Sequence, residues 1–143
     1  MTRTTLLNIN ILLILLISPT VAMSADTRQF VKLPDIMQQH MMANMRDHLE
    51  TINEILHLLQ KGQLDKAADI AEARLGMSSL TSHNASHMGK FMPSGMRQAG
   101  TSMHKAASRF ALKAQEGDVL HAYKALSAIT SACVACHAGY RIR

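Results

Sequence analysis

The stretch Cys133-Val134-Ala135-Cys136-His137 decides how this chain is read, and only six residues follow it. Two thiols three positions apart with an imidazole directly behind them are the set that attaches haem covalently: the sulfurs add across two vinyl groups and the histidine takes the iron. On a helix the three side chains fall at i, i+3 and i+4 and reach one side. Other chemistries also use such a pair. A buried disulfide needs nothing more, and a zinc half-site would have to recruit histidines, since the chain has two cysteines in all. A thioredoxin-like redox pair sits at the start of a helix after a strand, whereas this pair closes a chain that reads as helical. Covalent haem, one per chain, is the expectation.

Working outward, the 143 residues suffice for one modest domain. The first quarter stands apart from it. Arg3 gives a positive start, Leu6 to Ile17 is an apolar run broken only by Asn8 and Asn10, and Ser18-Pro19 precedes small residues at Ala22 to Ala25. This pattern is a cleaved signal peptide over residues 1–25, too short for a comfortable membrane span. It implies export to the periplasm, where thiols meet oxidising conditions, and no membrane attachment after cleavage. Removing Arg3 leaves fourteen Lys and Arg against ten acidic residues. That mild excess suits docking on an acidic redox partner. The charges form no stripe and aromatics do not interleave them, so nucleic acid is excluded as a partner.

The domain, residues 26–143, reads as four amphipathic helices. Leu33-Pro34 opens the first, with proline where a missing N–H costs nothing. Met42, Met45, Leu49, Ile52, Leu56 and Leu59 recur at alternating threes and fours, which predicts the inward seam, and Gly62 ends the helix. The second runs from about Leu64 to Leu75, with Leu64, Ala67, Ala68, Ala71 and Leu75 inward. Between Gly76 and Pro93 the signal weakens, and Thr81 or Ser82 caps a short helix to about Lys90. The third spans about Pro93 to Glu116 on Met96, Ala99, Met103, Ala106 and Phe110. Asp118 caps the fourth, whose inward set is Val119, Ala122, Leu126, Ile129, Cys133, Cys136 and Tyr140. No strand alternation or hairpin signal accompanies them.

A signal peptide, four amphipathic helices and a CxxCH near the extreme C-terminus, continued as Cys136-His137-Ala138-Gly139-Tyr140-Arg141, resemble the cytochrome c′ and cytochrome c556 family. The resemblance covers roughly Leu33 to Arg141 and is strongest over the last dozen residues. It implies an all-α fold, the antiparallel up-down-up-down four-helix bundle of that family. It also implies thioethers at Cys133 and Cys136, His137 as proximal iron ligand, and Arg141 beside the proximal face of the haem. In that family the distal residue comes from the first helix, one heptad before a set of apolar positions three apart. Matching the set to Leu49, Ile52 and Ile55 puts the distal position at Met42, with Met41 and Met45 as alternates. A thioether there would give a six-coordinate haem and raise its potential. Homodimers are common in the family, and apolar residues exposed on the first two helices would form that interface.

The segment 83–104 departs from the family pattern in its wealth of His83, His87, Met88, Met92, Met96, Met103 and His104. Imidazoles with thioethers suit copper, while methionine is also a flexible core filler beside an irregular cofactor. His40, His48 and His57 lie on the first helix, and none occupies the apolar seam, so each is expected at the rim or surface. No triad order, carboxylate pair or phosphate loop points to an enzyme. Two functions remain as expectations: an electron carrier with His/Met ligation, and a five-coordinate haem binding nitric oxide or carbon monoxide against an apolar distal face.

Overall fold

The computed structural model describes residues 25–143, so the expected signal peptide lies outside the described residues except for Ala25. The chain is mostly helical. Its elements are β1 (Gln29–Phe30), α1 (Asp35–Gln60), α2 (Leu64–Arg74), the short α3 (Ala85–Met88), α4 (Ser94–Gln115), α5 (Val119–Gly139) and β2 (Tyr140–Arg141), with single 3-10 turns at Met77–Leu80 and Gly89–Phe91. Pro34 stands at the N-cap of α1, and its carbonyl accepts the first helical bond, from Gln38 N at 2.9 Å. Gly62 and Gly117 turn the chain after α1 and α4 in the left-handed region, at φ +68° and +82°, which a side chain would oppose. Asp118 caps α5 by accepting from the backbone N–H of Leu120 at 2.8 Å and of His121 at 3.1 Å.

Three positions of the expected inward seam of α1 are displaced by one residue, while Met45, Ile52 and Leu59 keep their inward places. Leu49 is 72% exposed and Leu56 is exposed too, whereas Met41, His48, Thr51, Ile55 and Leu59 are buried. The stripe that meets the rest of the molecule is therefore Met41, Met45, His48, Ile52, Ile55 and Leu59, spaced four, three, four, three, four. Both registers satisfy the same periodicity, and choosing leucine over histidine at the deciding turn selects the outer one. Met42 is half-buried, on the edge of the stripe. The correction also reverses the expectation for His48, which is 8% exposed and belongs to the seam.

The main core forms along the contacts of α1 with α2, α2 with α4 and α4 with α5. Ile55, Leu59, Leu75, Phe110 and Ile129 supply its bulk, and Ala67, Ala68, Ala71, Ala107 and Ala114 let the helix backbones approach. Arg74 of α2 reaches three carboxylates of α1, pairing with Asp47, with Glu54 at 3.1 Å and with Glu50 at 3.8 Å. These groups stay partly solvated, so Arg74→Met is expected to cost on the order of 1 kcal/mol or less. The cost would be read as a lower urea midpoint at unchanged slope.

A second cluster lies apart, built of Val31, Leu33, Met41, Met88 and Met96, with Met37, Met45, Met92, Cys136, Tyr140 and Ile142 against it. It draws in the lead before α1. Gln29 pairs with Tyr140 and Phe30 with Arg141 in a parallel ladder. Val31 N then donates to Arg141 O at 2.8 Å, and Gln38 Nε2 to Ile142 O at 2.6 Å. The ladder joins residues more than a hundred positions apart, and so leaves no local alternation in the sequence.

Of the set expected to face inward on α5, Ala122, Leu126 and Ile129 are buried. Val119 is exposed, while Cys133, Cys136 and Tyr140 are only half-buried. Among the described residues, α5 alone is long and apolar enough to pass for a membrane span; here its buried stripe packs on α4.

Candidate functional site

Direct contact between α1 and α5 is slight, and a cavity of about 380 Å³ is lined from both helices. That volume falls in the range of small-molecule and cofactor sites. Its wall carries seven methionines, Met41, Met42 and Met45 from α1, Met88 from α3, Met92, and Met96 and Met103 from α4. Cys136, His137 and Tyr140 line it from the end of α5, with Arg28, Arg141 and Arg143 beside them.

The structure thus brings together most of the residues singled out in the sequence. Cys136, His137, Arg141 and all three candidate distal methionines border one cavity. Cys133 does not border it, but is half-buried against the main core one helical turn earlier. His137 is exposed on its other side. Both thiols are free, and burial pushes both above the ordinary thiol range, Cys136 further helped by the neighbouring Cys133. The pair lies at the C-terminal end of α5, where the helix dipole opposes a thiolate. These electrostatics are the opposite of those that activate a redox-reactive thiol pair.

Arg141 is held by its surroundings on several sides. Its backbone belongs to β2, its guanidinium lies 5.0 Å from the Phe30 ring centre, and its Nε stands 3.4 Å from an Asp26 carboxylate oxygen. That approach lacks hydrogen-bond alignment, and among the described residues the buried Nε has no partner. An apolar cavity with guanidinium groups beside it and an unpaired donor among them suits a flat, largely apolar molecule bearing carboxylates. Haem is such a molecule: Cys136, His137 and the arginines border the cavity it would occupy, whereas Cys133 packs against the main core.

No family model, curated protein or solved structure matches this chain.

Sequence reasoning named His83 and His104 but missed that His48 joins them. His48, His83 and His104 also line the cavity and pack on one another, with ring centres 4.8 Å (48 to 83), 5.5 Å (83 to 104) and 5.9 Å (48 to 104) apart. They come from α1, from the turn before α3 and from α4. The His83 turn is fastened to α1 by Asn44 Nδ2, which donates to His83 O at 3.1 Å, and is reversed at Asn84, at φ +54°. Desolvation, aided by the neighbouring imidazoles, lowers His48 to about 4 and also lowers His83, with Asp47 pulling weakly the other way. The signal available in the sequence was the one-residue alternative seam of α1, which puts His48 inside.

Proposed function

We propose that this chain is an exported c-type cytochrome, an electron carrier and not an enzyme, holding one haem between α1 and α5. In this reading α1, α2, α4 and α5 form the antiparallel up-down-up-down bundle, Cys133 and Cys136 make the thioethers, and His137 is the proximal ligand. The observation that carries it is the meeting of Cys136 and His137 with the methionine-lined wall of α1 across one cavity. The haem, when bound, supplies a one-electron iron couple. The protein supplies the rest: methionines that conform to an irregular apolar surface, and Arg28, Arg141 and Arg143 as cations for carboxylates at the cavity edge.

For the sixth position we favour Met41 over Met42. Met41 is buried on the inner stripe of α1, whereas the pattern that selects Met42 leans on Leu49, which faces solvent. Met45 shares the inner stripe and is the alternate. The mild positive charge fits transient docking on an acidic redox partner.

Absorption spectra of the purified holoprotein in both oxidation states test the reading. The expected ferric spectrum is low-spin with a weak near-infrared sulfur-to-iron band, lost in Met41→Ala and kept in Met42→Ala and Met45→Ala. Loss in Met42→Ala alone would move the ligand by one residue. A high-spin spectrum with rapid carbon monoxide binding on reduction would instead make the protein a gas binder.

A further inference from the structure

The histidine cluster in the cavity wall goes beyond the haem role, because it uses neither cysteine nor His137. Its hydrogen bonds fix two of its tautomers. Ser79, itself buried, donates its one hydroxyl proton to Gly76 O at 2.8 Å. Its oxygen can then only accept from His83 Nδ1, 3.3 Å away, so the His83 proton is on Nδ1. His104 Nδ1 likewise donates to Leu75 O at 2.8 Å. Both rings therefore keep the Nε2 lone pair for something else. On His48, Nε2 is buried without any hydrogen-bond partner among the described residues. A backbone carbonyl or hydroxyl behind Nδ1 is the support that metal-bound imidazoles ordinarily have.

The spacing agrees. Three imidazoles bound through one nitrogen each to a common ion at about 2.0–2.1 Å put their ring centres about 5–5.5 Å apart. The observed separations straddle that value, from 4.8 to 5.9 Å. Among the described residues no three donors already converge on one point; the triad has the ring spacing, and His48, whose Nε2 no hydrogen bond holds, is the ring that would turn to complete the site. We propose that His48, His83 and His104 bind one copper(I) ion in the cavity wall.

The monovalent ion is chosen on charge and softness. Asp47, the nearest acidic neighbour, is engaged by Arg74, so the ligand set is neutral. The cost of burying an ion rises with the square of its charge, which penalises zinc(II) or copper(II) in such a site. The thioethers around the same cavity are soft donors that also favour copper(I).

The test is anaerobic titration of the full holoprotein with copper(I) against a coloured chelator such as bicinchoninate, iron being measured in the same samples. One copper per chain is expected to survive competition. His48→Leu and His83→Leu should each weaken binding at least about a hundred-fold, while the exposed His87, as His87→Ala, should change nothing. If His48→Leu fails to fold by circular dichroism, His83→Leu, on a turn outside the long helices, carries the test. Iron unchanged while copper is lost separates failure of this site from failure of the haem reading. No copper retained, equal retention in all variants, or tighter binding of zinc(II) would overturn the assignment.

Discussion

Replacing Cys133 and Cys136 together by Ala is expected to abolish haem retention through acid-acetone extraction and denaturing electrophoresis. The parent protein should keep its haem under both treatments, because thioether bonds survive loss of the fold. The effect is all or none, and each single variant should keep one bond and remain coloured. Mass spectrometry gives the reading that would sink the proposal: an exported polypeptide without added haem mass and with its two sulfurs joined as a disulfide. The double variant should also be looser than the holoprotein. Met41, Met88 and Met96 pack in a cluster that shares residues with the cavity wall, and a group bound only by the folded state adds its binding free energy to stability. Equal thermal midpoints for the two would count against a haem seated between α1 and α5.

The parts of the molecule set by local chemistry were legible in the sequence. Pro34, Gly62 and Asp118 mark their helix ends because each acts within a residue or two of itself. The alanine and methionine stripes of α2 and α4 were legible because no competing apolar residue offered another register. On α1 such a competitor existed. Leu49 and His48 are adjacent, periodicity accepts either, and the burial of an imidazole there depends on His83 and His104, which come from distant segments. The ladder between β1 and β2 is hidden for the same reason, since nothing local in Gln29-Phe30 anticipates Tyr140-Arg141. For the site, residue chemistry and helical spacing chose Cys136 and His137. The half-burial of Cys133 and the gap between α1 and α5 follow from how the helices pack, which no single stretch encodes.

The displaced seam has a large thermodynamic consequence, because it places an ionisable ring where burial opposes its charge. His48 titrates near 4 in the folded protein and near the ordinary value of about 6.5 when unfolded. Between those values the unfolded chain binds the proton and the folded one does not, so stability rises with pH across the window and is lost as pH falls from about 6.5 toward 4. At 1.36 kcal/mol per unit the full span is worth about 3 kcal/mol, a large share of the total stability of a domain this size. Urea unfolding of protein kept free of copper by a chelator should therefore show a loss of about 2–3 kcal/mol between pH 7.5 and pH 4.5. His83, whose imidazole burial also lowers, faces His48 and adds to the raw curve. The difference between the parent and His48→Leu removes most of that background. The leucine side chain brings no charge and leaves no buried nitrogen unpaired, so the variant should be the more stable protein at pH 4.5 and should lose much less stability on acidification. Parallel curves for the two would mean that His48 is solvated in the folded protein, and that α1 presents its other stripe, through Leu49, to the core.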